Sequence, residues 1–589
     1  MKYLKLFFIA ALSMFTICSC TDSNIVPDEP EKPVNPDDPE KPEDPETEAD
    51  YLIMLYGVGG RDLDKGIIGN VMQTIDEGVE GNIRMTYQFK ASKYIQEDAK
   101  MANFHGTRRF TSEDNAEFKG TFKSHSKEYP ALDEEGLEYY LQNLKSEKIG
   151  DADYDMSKPE SLADFIKWSK KKYPNAKRNI LILSGHGGGW TANLDGATTR
   201  AMLFDDNVDD NAINAQGVID AIAAGDGIDM LYIDACLMSM FENLYTYARG
   251  VKYLLASNEP TPGKGGDYRM LLNLLKTTDT TEANFEEAMH KYVDYSCSDK
   301  WWLDMKEPGF FDLGFFNLSK LSVVTPILKK VSDTLAQKFT SDESIQSPIP
   351  DLPYGDQFAP YIRQAFMQTL IAYRKSHIEL ANIPEALQPY LQEDETTEMM
   401  QFEGLDTYVY SSFELIDWLR NAKTDIAKQA HADCPEAWKA LKQYLISITQ
   451  ISYSLPTILL NLNGDLKEIN AANNPFGELH DELIAALQQV AHIACTKPSG
   501  EIPGINQEYD LCSPGIYIVP MNKYYKSEYN PLAYTYPTFE EALNAYQNSD
   551  FDKAVGWSNV LKVIDVCPSL FFNPTRQDTT PPPAPEGME

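Results

Sequence analysis

Hydrophobic positions along this chain follow two periods, and the two alternate. Short, nearly unbroken apolar runs at 51–56, 179–183, 229–234 and 251–257 read as strands buried on both faces, with a further strand at 84–90. Between them the apolar residues recur at helical spacing. The segments 64–77, 161–172 and 214–223 are predicted helices, and a fourth is expected to start near Leu237. In 161–172 the apolar Leu162, Phe165, Ile166 and Trp168 are spaced to share a face, and Tyr173-Pro174 supplies the stop. Strands alternating with helices predict an α/β fold with a mainly parallel sheet and helices on both faces. Residues 191–212 read as an acidic loop, and Gly57-Val58-Gly59-Gly60 as a tight strand-to-helix turn, because neither nucleotide-loop glycine spacing is present. Past about 320 the period becomes helical (321–340, 355–375, 412–431, 435–452), before a strand-like run returns at 515–520.

The two ends do not carry a core-forming pattern. Lys2 and Lys5 precede an apolar stretch from Leu6 to Ile17, and Ile17-Cys18-Ser19-Cys20 has the form of a bacterial lipoprotein signal. Lipidation is expected on Cys20, which stands where the apolar run meets an acidic, proline-rich stretch, and the run is shorter than the roughly 20 residues a membrane span needs. Residues 21–50 contain 12 acidic residues and 7 prolines, and Pro27 to Pro45 recur at every third position. Three residues make one turn of polyproline II, so this segment is expected to form a solvated stalk of roughly 60 Å. The expected organisation is a signal at 1–20, a stalk at 21–50, an α/β domain at 51–320, a mostly helical region at 321–570 with late strand elements, and a tail at 571–589. That places the folded part outside the cytoplasm, at the outer membrane or surface of a bacterium and held by lipid.

The net charge of −37 argues against nucleic acid as a partner and favours cationic ones. Eight cysteines are encoded, none in a CxxC pair, so no disulfide framework is expected.

Candidate chemistry sits where two of the apolar runs end. One leads into Ser184-Gly185-His186-Gly187, the other into Asp234-Ala235-Cys236, 50 residues after the histidine. Parallel sheets present catalysts at such ends. A free thiol is only about 3% thiolate at neutral pH, so a nucleophilic cysteine needs a base, and His186 is the candidate. The N–H groups of Gly187 and Cys236 are candidates for stabilising an oxyanion. No zinc site is expected, because neither motif holds a third ligand. Asp234 and Cys236 share a strand face, so Asp234 would select a basic substrate side chain or else orient His186.

Tyr56, Asp62-Leu63, Ser184 to Trp190, Asp234-Ala235-Cys236 and Ala256 to Pro260 resemble the clostripain family of cysteine peptidases, and Gly515 to Pro520 and Trp557 resemble its C-terminal landmarks. The resemblance spans roughly 51–565. It implies a caspase-like α/β sandwich with a largely helical C-terminal extension and a His186/Cys236 dyad acting on protein or peptide substrates. It also implies an acidic pocket including Asp234, cleavage after Arg or Lys, and no cofactor for the chemistry, with calcium dependence in some members. Asp267 is the candidate for a second pocket carboxylate. Family members commonly mature by cutting themselves between the histidine and the cysteine, where Arg200 is the single basic residue. Residues 100–150 and 340–410 are expected to be insertions. The acidic run Asp205 to Asp210 lacks the glycine and glutamate of an EF-hand loop and reads as a solvated turn. The alternative to an enzyme is a surface-binding lipoprotein that keeps a peptidase-like fold without activity.

Overall fold

Eight consecutive buried residues, Tyr51 to Val58, form the middle of the structure. The computed structural model describes residues 49–60, 62–79, 81–127, 132–190, 202–208, 211–259, 261–298, 311–341, 452–456, 459, 475–496, 514–517 and 539–563. The strands in chain order are β1 (Tyr51–Val58), β2 (Ile83–Lys90), β3 (Thr107–Thr111), β4 (Glu147–Gly150), β5 (Arg178–Ser184), β6 (Met202–Asp205), β7 (Asn211–Ile213), β8 (Met230–Asp234), β9 (Tyr253–Ala256), β10 (Asp312–Asn317), β11 (Ser452–Ser454), β12 (Ala491–Cys495) and β13 (Gly515–Tyr517). Nine of them make one sheet in the order β12-β10-β9-β8-β5-β1-β2-β3-β4.

The five inner strands, β2-β1-β5-β8-β9, run parallel, as the alternation of periods predicts. Two strands on each flank are antiparallel, so the sheet is mixed at its edges. Residues 100–150, expected as an insertion, supply β3 and β4 and lengthen the sheet on one side.

Alternation along β1 divides its side chains between two cores. Leu52, Met54, Tyr56 and Val58 pack with the helices Pro159–Lys172, Ala215–Ala224, Phe241–Tyr247, Leu321–Ser341 and Phe476–Val490. Tyr51, Ile53 and Leu55 face the opposite way, into the helices Asp64–Glu77, Tyr268–Lys276 and Glu282–Ser296. The period-two rule therefore accounts for both layers. The C-terminal part is not a separate helical appendage: β12 pairs with β10, and Leu335, Leu483 and Trp557 share one core with β1. The predicted helices at 355–375 and 412–431 lie outside the described residues, as do 435–451 of the next and 342–410 of the expected insertion at 340–410; Ser452, expected to end a helix, instead opens β11.

The acidic run after β6 is partly a hairpin, since β6 pairs with β7. Lys90 at the end of β2 reaches Asp205 at 2.8 Å, and both side chains are fully buried.

Candidate active site

Register brings the two candidate residues to one edge. Ser184 of β5 pairs with Asp234 of β8, so His186 and Cys236 each lie two residues beyond the same rung of adjacent parallel strands. The Gly185 N–H donates to the Asp234 carbonyl at 3.4 Å, continuing the contact beyond the strand ends. Gly187 then passes so close that a Cβ there would lie 2.3 Å from the Cys236 carbonyl oxygen and 2.8 Å from its nitrogen. Only glycine allows this approach, and it sets the Gly187 and Cys236 backbones side by side.

The helix expected at Leu237 begins instead at Phe241. Leu237 has a φ of 64°, a left-handed conformation that a branched side chain enters at a cost of about 1–2 kcal/mol. Its N–H donates to the Glu259 carbonyl at 3.3 Å, and that of Ser239 to Ser257 at 2.9 Å. These links to the loop after β9 hold Leu237 to Ser239 out of the helix. Cys236 therefore occupies a tight turn, and the helix that follows starts five residues beyond it.

Nε2 of His186 lies 3.0 Å from Oδ1 of Asp62, in the turn between β1 and the following helix. A carboxylate only accepts, so the ring proton is placed on Nε2 and Nδ1 becomes the basic nitrogen. The backbone carbonyl of His186 accepts from Leu203 N–H at 2.8 Å, and Leu203 also has a positive φ, 58°. Sequence reasoning does not find Asp62 as an orienting group, because it falls in a glycine-rich turn and no period points it at a residue 124 positions away.

The thiol of Cys236 accepts from Thr261 N–H at 3.3 Å and lies 3.6 Å from the Thr261 hydroxyl. Burial pushes the thiol up from its ordinary pKa, the Thr261 contacts pull it back, and nearby Asp234 raises it. At rest the group is therefore a protonated thiol, and attack requires its proton to be removed.

Asp234 is buried beneath the same loop. Its Oδ2 accepts from Gly266 N–H at 3.0 Å and from the Tyr268 hydroxyl at 2.7 Å, and burial raises its carboxyl above the usual range. The carboxylate in contact with His186 is that of Asp62. Asp267 is engaged elsewhere. Its carboxylate caps the helix Tyr268–Lys276, accepting from Arg269 and Met270 N–H at 3.1 and 3.2 Å and from the Tyr295 hydroxyl at 3.1 Å. It also lies 3.3 Å from the Arg269 guanidinium, so its carboxylate serves as a helix cap paired within the chain. Arg200 and Cys20 lie outside the described residues.

Among the described residues no cluster of three or more His, Cys, Asp or Glu could hold a metal ion. In the acidic run, Asp205 is neutralised by Lys90 and Asp206 accepts from Lys93 N–H at 3.0 Å, so both carboxylates are already engaged within the chain. Among the described residues Cys236, Cys297 and Cys495 form no disulfide.

The model of the clostripain family matches residues 135–563. The chain belongs to that family. Clostripain of Hathewaya histolytica is 31% identical over 131 residues, a match covering 20% of this chain and 25% of that protein. The chain thus spans a quarter of the length of the curated relative it matches. Similar solved structures include a secreted C11 cysteine protease from Bacteroides thetaiotaomicron in complex with an irreversible peptide inhibitor, at 13% identity and a TM-score of 0.34, covering 48% of this chain and 70% of that one. Another is an inactive zymogen C11 protease from Parabacteroides distasonis, at 14% identity and a TM-score of 0.39, covering 86% and 99%.

Proposed function

We propose that this clostripain-family chain is a cysteine endopeptidase that cuts after Arg or Lys. The observation that carries the reading is the register of β5 and β8, which sets His186 and Cys236 at equivalent points beyond neighbouring strands. Nδ1 of His186 takes the thiol proton as Sγ of Cys236 attacks the scissile carbonyl carbon. The N–H groups of Cys236 and Gly187 meet the oxyanion, and the protonated imidazole then gives its proton to the leaving amine. Water, deprotonated by the same imidazole, releases the thioester. Acid–base assistance of this kind contributes about 10²–10⁴-fold. Asp62 faces the imidazolium through Nε2, and the chemistry needs no cofactor.

Asp234 supplies the negative charge for a basic side chain on the substrate. Self-cleavage after Arg200 fits the same preference, since Arg200 is the one basic residue between His186 and Cys236. A lipid on Cys20 and the acidic stalk would hold the enzyme at the outer membrane or cell surface of a bacterium.

Peptides capped by Arg, Lys or Asp before a fluorophore test the reading with wild type, Cys236→Ala and Asp234→Ala. Release from the Arg and Lys peptides only, abolished by Cys236→Ala, is expected. Basic preference that survives Asp234→Ala would overturn the pocket assignment. Intact mass of wild type and Cys236→Ala tests self-cleavage, and a Cys20→Ala variant that stays with the membrane fraction would overturn the lipid anchor.

A further inference from the structure

Asp312 opens β10 and is fully buried. Antiparallel pairing of Gly314 with Ala256, carried on by two residues, brings it level with Asn258, just past the end of β9. The chain leaves the sheet there while still buried. Ser257, Asn258 and Glu259 are at most 6% exposed, so their polar backbone groups need partners within the protein. Asp312 supplies them. Its Oδ1 accepts from the Ser257 hydroxyl at 2.6 Å, from Asn258 N–H at 3.1 Å and from Glu259 N–H at 2.8 Å, and its Oδ2 lies 3.2 Å from the Asn258 nitrogen.

The residues gripped in this way also shape the turn of the nucleophile. The carbonyls of Glu259 and Ser257 accept from Leu237 and Ser239 N–H, at 3.3 and 2.9 Å, and Leu237 between these ties and Cys236 keeps its φ of 64°. Two residues past Glu259, Thr261 N–H donates to Sγ of Cys236 at 3.3 Å. One carboxylate on β10 thus stands behind the contacts to the backbone and to the thiol. The rest of the loop has separate anchors. Gly266 N–H donates to Asp234 Oδ2 at 3.0 Å. Nδ2 of Asn70, on the helix Asp64–Glu77, donates to the Lys264 and Gly266 carbonyls at 3.1 and 3.0 Å. The part of the loop over Asp234 is therefore held without Asp312.

We infer that Asp312 is a positioning residue for the nucleophile: its carboxylate fixes residues 257–259, and they fix the turn that aims the Cys236 N–H and seats Thr261 on Sγ. The inference rests on the proposed mechanism, in which Cys236 supplies both the thiol and an oxyanion donor. Leu237 is a good helix former held in a left-handed conformation, so the turn relaxes once its ties to Ser257 and Glu259 slacken. Relaxation shifts the Cys236 backbone against Gly187 and draws Thr261 off the thiol. A carboxylate suits the task because both of its oxygens only accept. An amide in its place would set its own hydrogens against Asn258 N–H.

Two measurements on Asp312→Ala separate positioning from folding. With an Arg peptide, kcat is expected to fall about 10- to 100-fold, at or below the loss that outright removal of an oxyanion donor causes. KM should stay within about twofold, since the loop over Asp234 keeps its own anchors. Alkylation of Cys236 by iodoacetamide, read by mass spectrometry of the Cys236 peptide at increasing pH, should show its midpoint move upward. The Thr261 contacts that favour the thiolate are then weakened, while Asp234, whose charge also acts on the thiol, is untouched. Asp312→Asn loses only the Oδ2 contact to Asn258, so both effects should be smaller and in the same direction. That variant carries the test if the alanine variant fails to fold. A kcat loss that merely tracks the folded fraction, or an alkylation midpoint equal to that of wild type, would mean that Asp312 serves the fold alone and would overturn the inference. If wild type cleaves no peptide, it is the broader reading that fails, and the alkylation midpoint still reports on Asp312.

Discussion

Asp62 and His186, 124 positions apart in the chain, meet through a 3.0 Å contact between a carboxylate oxygen and Nε2. A carboxylate only accepts, so the contact places the ring proton on Nε2 and leaves Nδ1 as the acceptor nitrogen. Because the Asp62 side chain is 76% exposed, its charge is well screened, and exposed pairs of this type contribute about 0.2–1 kcal/mol. Asp62→Ala is therefore expected to lower kcat by about 2- to 5-fold with KM and melting temperature nearly unchanged. Steady-state kinetics with an Arg peptide checks this, and an unchanged kcat would remove Asp62 from the mechanism.

The role proposed for Asp234 predicts a pH dependence of substrate binding. Burial raises its carboxyl, so it takes up a proton at a higher pH than an ordinary aspartate and then no longer pairs with a cation. KM for basic peptides should rise as pH falls through the acid range, while iodoacetamide, lacking a charged group, shows no matching change in affinity. A KM for Arg peptides that is flat with pH would contradict the assignment.

Two buried acids make the fold itself pH-sensitive. Asp64, held by the N–H and hydroxyl of Ser92, and Asp312, which accepts from Ser257 and from Asn258 and Glu259 N–H, are both pushed up to about 6 by burial. A raised folded-state value means the native protein binds the proton more tightly than the unfolded chain. The stabilisation is then complete below about pH 4 and is lost as pH rises to about 6, by on the order of 1–3 kcal/mol for each group. Asp64→Asn should flatten the pH dependence of the urea midpoint over that window.

The fully buried Lys90–Asp205 pair ties the end of β2 to the hairpin beside His186. Removing one partner strands the other charge. Lys90→Met should cost about 3–5 kcal/mol, and the double variant Lys90→Met/Asp205→Leu should recover much of it. Urea unfolding of the three proteins gives the comparison, and no recovery in the double variant would show that the pair contributes more than its own charges.

Much of this arrangement is legible in the chain because period and register are local or repeat simply. Continuous apolar runs locate β1, β5, β8 and β9, and strand ends locate His186 and Cys236. The start of the helix after Cys236 is not legible, because Leu237 is an ordinary helix former and only tertiary bonds to Ser257 and Glu259 hold this segment in a left-handed turn. Asp267 shows a similar limit: its place as the cap of the helix Tyr268–Lys276 depends on where that helix starts, which no period marks. Asn70 and Thr261 carry no motif at all. Their places follow from how the loop after β9 folds back over β8 and the first helix.

β5 and β8 lie side by side in the sheet although the chain between them contains Arg200. A nick after that arginine would separate the polypeptide into two pieces, one carrying β1 to β5 and the other β6 to β13. Each would contribute one contiguous half of the same sheet, the halves meeting where β8 pairs with β5. The fragments would co-elute as a tight heterodimer under native conditions and part only in denaturant, with imidazole and thiol brought by different molecules.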